Sequence, residues 1–174
     1  MMTSMAAATT QTADLEASFF DLYARENTTV LRYFRSAVGD VATAEDLSGD
    51  TFCRAWDGWA RFKGDTDMAR AWLMRIARNR LIDHARRNKR VAFVALVESE
   101  PSGASGTATT AVGRIAMRTA LASLSVDDRD LLALRLAGLS HAEIGAVRKQ
   151  SEAAVKKAWQ RALLKLRPQL EVYR

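Results

Sequence analysis

The stretch from Asp67 to Arg90 constrains the fold more than any other part of the sequence. It reads DMARAWLMRIARNRLIDHARRNKR and holds eight Arg or Lys residues against two acids. Between Trp72 and Ala77, apolar residues recur with helical spacing, so one face of a helix packs inward. The other faces present guanidinium groups and Trp72, an arrangement that suits phosphate contact and base stacking. A solvated basic face on an ordinary core helix is the alternative.

The composition is that of a globular chain with a basic balance. The 174 residues suffice for one ordinary domain or two small ones, and 48% are hydrophobic and 26% charged. A net charge of +6 favours a polyanionic partner. The single cysteine, Cys53, cannot form an internal disulfide, which indicates a reducing, cytoplasmic setting. No stretch approaches the roughly 18 apolar residues of a spanning helix, so we expect no membrane insertion.

The N-terminal half has the periodicity of helices. We expect a disordered tail over residues 1–13 and a first helix from Asp14, with a stop at Gly39. An acidic helix over Val41–Trp59 precedes the basic one. Gly64 permits a turn between them, and Asp67 is a candidate cap for the basic helix.

The C-terminal half is also helical and follows a flexible linker. Residues 91–112 include a segment rich in Gly, Ser and Thr, which is typical of linkers. Helices are predicted over Val112–Leu124, Val126–Ala137 (capped near Ser125 or Asp127), Ser140–Val147 and Ser151–Leu166. The last two resemble a helix-turn-helix, although a generic helical hairpin shares their spacing. With no convincing strand, the predicted fold is all-α, with two small helical domains at 14–90 and 113–174.

Enzyme chemistry is not indicated. The two histidines, His84 and His141, lie at no metal-ligand spacing from each other or from Cys53. No nucleophile elbow, metalloprotease or phosphate-loop motif occurs. The acids of the second helix, such as Asp46 and Asp50, have no histidine to complete a site and favour a protein-binding face. We therefore predict no catalytic residues, no metal and no cofactor.

Two pairs of segments carry a resemblance to a known family. The first pair is AEDLSGDTFCRAWDGWARFKGD at 44–65 with ARAWLMRIARNRLIDHARR at 69–87. The second is ALASLSVDDRDLLALRLAGLSHAEIGAV at 120–147 with SEAAVKKAWQRALLKLR at 151–167. Together they resemble the extracytoplasmic-function (group 4) sigma factors of bacterial RNA polymerase. The resemblance implies a sigma-2 helical bundle over 14–90 and a sigma-4 helix-turn-helix domain over 113–174.

The resemblance also implies a function and its residues. A sigma factor directs promoter-specific initiation by binding core polymerase, at the β′ clamp helices and the β flap, and by recognising promoter DNA. An anti-sigma factor is a further partner that the family implies. The implied core-binding residues are Asp46, Asp50 and Arg54. Those for the −10 element are Phe62, Lys63, Gly64, Asp65, Trp72, Arg75, Asn79, Arg80, Asp83, Arg86 and Arg87, with Lys89 and Arg90 on phosphates. Those for the −35 element are Ser151, Ala153, Lys156, Lys157, Gln160 and Arg161.

The sequence departs from the family pattern at three places that bear on function, one of which is the pair Ala158 and Leu163, at positions where Arg is common. Gly49 stands where a Gln is common, and a mid-helix Gly softens a helix or allows a close approach. At the helix-turn-helix turn, Lys149 takes a place where Gly usually adopts a positive φ, and Arg148 and Gln150 replace apolar residues. We expect weakened or altered −35 recognition, which the cations at 148 and 149 could offset through phosphate contacts.

Two other functions remain open from the sequence. One is a helix-turn-helix transcription regulator that acts without core polymerase. The other is a sigma-like interaction module that has lost −35 recognition. The substitutions at 148–150 are the reason for keeping this alternative.

Overall fold

The computed structural model describes residues 2–38, 40–88 and 124–171, which form six helices and no strand. This confirms the all-α prediction. The helices are α1 (Met2–Ala37), α2 (Val41–Trp59), α3 (Thr66–Asn88), α4 (Val126–Leu136), α5 (His141–Arg148) and α6 (Glu152–Glu171).

Polar side chains set the starts of α2, α3, α4 and α5. Asp40 begins α2, because its carboxylate accepts a 2.7 Å hydrogen bond from the backbone at the third helical position. Ser125 caps α4 in the same way, and Ser140 begins α5 with a reciprocal capping box. At α3 the cap is Asp65, whose carboxylate lies 2.8 Å from the amide of the third residue. The predicted cap, Asp67, instead lies within the first turn.

The N-terminal boundary differs from the prediction. Helix α1 begins at Met2, so the expected disordered tail is wrong for residues 2–13, and Asp14 lies inside the helix. This segment is rich in alanine, the best helix former, and contains neither Gly nor Pro. The predicted stop at Gly39, the linker at 91–112 and the predicted helix up to residue 123 lie outside the described residues.

The two halves of the chain pack against each other. Helix α1 contacts α2, α3 and α4, while α3 also contacts α5. Fully buried side chains from both halves form one hydrophobic cluster that includes Tyr33, Phe34, Leu73, Leu131 and Ile144. The N-terminal helices α1–α3 and the C-terminal helices α4–α6 therefore share a core. Within the described ranges, no helix is both long and apolar enough to cross a membrane.

Candidate nucleic-acid interface

The predicted polymerase-binding residues lie on α2, and one of them is tied to α3. Asp46 and Arg54 are exposed. Asp50 accepts a hydrogen bond from the guanidinium of Arg80, a residue predicted to contact −10 DNA. Because Arg80 is only 8% exposed, this ion pair is part of the packing between the two helices. The structure thus joins two predicted sites that the sequence treats as separate.

An aromatic cluster lies at the junction of α2, the following loop and α3. We define it by Trp59, Phe62 and Trp72. The rings of Trp59 and Phe62 stack with centroids 5.2 Å apart and planes 7° apart, and Trp72 lies 5.0 Å from Phe62. All three residues are partly buried against the hydrophobic core, so only part of each ring lies at the surface.

Close packing explains the glycine in the loop. A Cβ atom on Gly64 would lie 2.6 Å from the Phe62 ring and 2.9 Å from Cβ of Met68. The only positive φ angles in the described residues are at Gly138 and Lys149, so Gly64 is needed here for space. The indole N–H of Trp59 donates to Ser18 of α1 at 3.0 Å and fixes the cluster from the other side.

The outward side of α3 carries most of the predicted −10 residues. Helical spacing places Trp72, Arg75, Asn79, Asp83 and Arg86 on one side of the helix. Asn79, Asp83 and Arg86 are exposed, whereas Trp72 and Arg75 are partly buried. This side is continuous with the aromatic cluster through Trp72. Arg87, Lys63 and Asp65 are also exposed, whereas Lys89 and Arg90 lie outside the described residues.

The turn between α5 and α6 has the backbone of a helix-turn-helix. Lys149 adopts the left-handed conformation, with φ 56° and ψ 47°, at the position where the family resemblance implies a positive φ. Gly145 permits the turn to approach α5, because a Cβ atom there would lie 2.7 Å from the carbonyl oxygen of Gln150. The amide of Gln150 donates to the carbonyl of Gly145 at 2.9 Å and closes the turn.

The predicted −35 residues follow this turn and are all exposed. Ser151 caps α6, because its hydroxyl oxygen accepts a hydrogen bond from the third helical residue at 3.2 Å. Lys156 pairs with Glu152 one turn earlier at 2.7 Å, an exposed contact of small energetic value. The opposite side of α6 is buried through Val155 and Ala162. The set is Ser151, Ala153, Lys156, Lys157, Gln160 and Arg161.

A buried polar cluster that the sequence did not predict joins the two halves. We call it the Asp130 cluster and define it by Tyr33 of α1, Arg78 of α3, Asp130 of α4 and Arg148 of α5. The Tyr33 hydroxyl donates to one carboxylate oxygen of Asp130 at 3.0 Å. Arg78 Nε donates to the other oxygen at 2.7 Å, and Arg148 Nε lies 3.8 Å from it. Burial, reinforced by the charge of Asp130, raises the pKa of Tyr33 well above its ordinary value, so the phenol remains a donor.

A second ionic contact crosses between the halves nearby. Arg70 of α3 lies 3.5 Å from the Glu26 carboxylate of α1 and 3.2 Å from that of Glu143 in α5. Burial alone would raise the pKa of Glu143, but hydrogen bonds from Ser140 and the charge of Arg70 lower it below its ordinary value. One guanidinium therefore bridges a carboxylate from each half.

The placement of Arg148 corrects one expectation. We expected this cation to offset weakened −35 recognition through phosphate contacts. Its side chain is only 8% exposed and pairs with Asp127 at 3.5 Å as well as with Asp130. It therefore pairs with α4 of its own half, at the carboxylate that Tyr33 and Arg78 also contact, whereas Lys149 is exposed. The sequence signal that could have revealed the cluster is Asp130 itself, an acid that directly precedes the run LLALRL and lies one helical turn before the buried Leu134.

Comparison with known proteins identifies relatives of both halves. Residues 22–91 match the family model of Sigma-70 region 2, and residues 114–166 match that of Sigma-70, region 4. The chain is 32% identical over 155 residues to the ECF RNA polymerase sigma factor BldN of Streptomyces coelicolor, an alignment that covers 84% of this chain. The chain spans only 58% of the length of BldN.

Solved structures of similar fold cover most of the chain. The structure of CnrH in complex with the cytosolic domain of CnrY matches with a TM-score of 0.66 and 26% identity, over 90% of each chain. The sigma factor RpoE in complex with the anti-sigma factor NepR from Bartonella quintana matches with a TM-score of 0.61 and 25% identity. That alignment covers 89% of this chain and 98% of RpoE.

Proposed function

Because this chain belongs to the extracytoplasmic-function group of the sigma-70 family, we propose that it is a dissociable promoter-specificity subunit of RNA polymerase. It binds core polymerase, recognises the −35 duplex through α5 and α6, and opens and holds the −10 element through α2 and α3. It performs no covalent step, because polymerisation belongs to the polymerase. It needs no cofactor and acts in the cytoplasm.

The aromatic cluster is the observation that carries this proposal. Extruding a base from the duplex costs a few kcal/mol, to be offset by new contacts. Stacking on an aromatic side chain contributes about 1–3 kcal/mol per base. Trp59, Phe62 and Trp72 offer ring surfaces beside the outward side of α3, where arginines can neutralise phosphates of the same strand. This combination suits unpaired DNA better than it suits a closed duplex.

The exposed residues of α2 and α6 support the other two contacts. The acidic side of α2, with Asp46 exposed, suits a basic partner surface such as we propose on the polymerase clamp. The early residues of α6 have the position from which a recognition helix reaches base edges in the major groove. The left-handed residue at Lys149 preserves the turn despite the missing glycine. This supports −35 reading over an interaction module that has lost it.

A regulator that acts without polymerase is a weaker candidate, since it needs neither the aromatic cluster nor the exposed acids of α2. We also propose an anti-sigma factor as a partner, by likeness to RpoE, whose solved structure includes the anti-sigma factor NepR.

Run-off transcription with purified core polymerase tests the proposal. The protein should direct initiation from fragments of its own genome, and failure on every fragment would refute the sigma function. The double variant Trp72→Ala with Asn79→Ala should abolish open-complex formation and leave polymerase binding intact. Phe20→Ala is the control, because it removes an aromatic ring that is 72% exposed on α1 and lies outside the cluster. Loss of polymerase binding in the double variant would mean that the two faces are assigned the wrong way round.

A further inference from the structure

The Asp130 cluster joins the two halves through hydrogen bonds to a buried carboxylate, which needs such partners because it is charged. Asp130 is 5% exposed, and its oxygens are engaged by Tyr33 and Arg78 from the N-terminal half. A buried charge without partners is strongly destabilising, so these groups are expected to separate only when water or another partner replaces them. The contact between the halves is therefore specific and not only apolar.

The closed arrangement cannot read both promoter elements at once. Elements centred near −10 and −35 lie about 25 base pairs apart, which is about 85 Å at 3.4 Å per base pair along B-DNA. In the structure, the hydroxyl of Tyr33 and the carboxylate of Asp130 are in direct contact at 3.0 Å. A chain that occupies both elements must therefore separate its halves.

The connecting segment is long enough for this separation. Thirty-five residues lie between Asn88 and Leu124. Fully extended, they could span about 115 Å at roughly 3.3 Å per residue. The number of connecting residues is therefore compatible with opening, which needs the loss of the contacts between α1 or α3 and the C-terminal helices.

We propose that the Asp130 cluster is a latch that keeps the free protein closed, with Arg148 as the element that ties the helix-turn-helix turn into it. The inhibitory role of the latch rests on the proposed sigma function. In the closed state neither DNA-binding surface is covered. The two surfaces lie too close together to reach both promoter elements at once. On α3, Trp72 and Asn79 lie at least about 100° around the helix axis from Arg70 and Arg78, which face the C-terminal half. The predicted −35 residues are likewise exposed in the closed state.

The latch explains the departure of the turn from the family pattern. An arginine at position 148 is a poor replacement for an apolar packing residue unless its charge is paired. Here it lies near Asp130 and Asp127, and its Nη1 donates to the carbonyl oxygen of Asp127 at 3.2 Å. The substitution thus supplies the third cationic or hydroxyl group of the cluster.

The separation of the halves can be measured in the full chain without polymerase. Cys53 is exposed on α2 and provides one label site, and Leu164→Cys, at a residue 64% exposed on α6, provides the other. Pulsed electron paramagnetic resonance should give one short distance for the labelled parent. Combining Arg78→Ala with Arg148→Ala should add a longer distance and raise its population at least tenfold. Arg25→Ala removes the same charge from an exposed position on α1 that lies in no proposed binding site, and it should leave the distances unchanged.

A milder variant protects the test against misfolding. Tyr33→Phe removes one hydroxyl and keeps the ring that packs in the core, so helicity should be retained. Losing one hydrogen bond to a buried carboxylate should raise the open population about fivefold or more. Unchanged distances in both Tyr33→Phe and the double arginine variant would overturn the latch.

The bound state separates the latch from the sigma function. On core polymerase, the parent should show the longer distance in place of the shorter one. A protein that initiates transcription while it keeps the shorter distance would overturn the inhibitory role. Absence of initiation, with the distance changes still seen in the free protein, would instead overturn the sigma function and leave the contact as a conformational latch.

Discussion

Replacing Gly145 by alanine should destabilise the helix-turn-helix turn. The added Cβ would lie 2.7 Å from the carbonyl oxygen of Gln150, closer than such atoms can approach. That oxygen belongs to the backbone, and the amide of the same residue donates to the carbonyl of Gly145 at 2.9 Å. The contact can therefore be relieved only by moving the turn as a whole.

The magnitude follows from two opposing effects. An extra methyl group in a packed region costs about 1–3 kcal/mol, and contact with a backbone atom puts Gly145 in the upper half of this range. Alanine regains about 1 kcal/mol of helix propensity relative to glycine. We expect Gly145→Ala to lower the free energy of unfolding by about 1–2 kcal/mol and to weaken binding to −35 DNA.

The matched control is Gly49→Ala in α2. A Cβ atom there meets no described atom within 4 Å, so only the gain in helix propensity, about 1 kcal/mol, applies. Urea unfolding followed by far-ultraviolet circular dichroism should move the two variants in opposite directions. If Gly145→Ala were as stable as the parent, the close approach of the turn to α5 would be refuted.

Three further predictions concern the turn, the recognition helix and acid stability. Lys149→Gly should unfold at a higher urea concentration than Lys149→Ala, because its free energy of unfolding should be larger by about 0.5–1 kcal/mol. The left-handed conformation costs a residue with a Cβ about 1–2 kcal/mol, and the freedom of unfolded glycine offsets part of the gain. Lys156→Ala should weaken binding to all promoters alike and flatten the dependence on log salt by about one unit, as expected for a phosphate contact. The carboxylate of Glu143 has a lowered pKa, so its contribution to stability is present above the ordinary glutamate pKa of about 4.3 and is lost as pH falls through the folded pKa. The free energy of unfolding should therefore fall more steeply between about pH 5 and pH 3 in the parent than in Glu143→Gln.

A specific result would contradict each of the three predictions on Lys149, Lys156 and Glu143. Equal midpoints for the glycine and alanine variants at Lys149 would mean that the conformation carries no strain. A loss confined to some promoter sequences would make Lys156 a base-reading residue. An identical pH profile for Glu143→Gln would show that Arg70 and Ser140 contribute nothing to the ionised state of this carboxylate.

The helices of the fold could be read from the sequence because their signals are local. Helix α2 has its predicted bounds, and Ser125 and Ser140 lie at the starts predicted from capping and apolar spacing. The start of α1 could not be read this way, since an alanine-rich segment without Gly or Pro carries no boundary signal. The contact between the halves could not be read either, because Tyr33 and Asp130 are 97 residues apart.

The candidate site shows the same division between local and tertiary information. Helical spacing groups Trp72 with Asn79 on one side of α3, and the family resemblance predicts the positive φ at Lys149. It does not reveal which of the charged residues are buried. Arg80 and Arg148 read as surface cations in sequence, yet each is paired with a carboxylate from another helix. The DNA and polymerase contacts of the predicted residues stay predictions.

The ion pair between Asp50 and Arg80 affects how mutants of this protein should be interpreted. Alanine at Asp50 would remove a proposed polymerase contact and also leave the buried guanidinium of Arg80 without its partner, which should weaken the packing of α2 on α3. Such a mutant would lose activity whether or not Asp50 touches the polymerase, so its phenotype would be genetically ambiguous. Asp46, which is exposed on the same helix, is the cleaner position for isolating docking defects. Suppressors of an Asp50 substitution should accordingly be sought at Arg80 before they are sought in the polymerase.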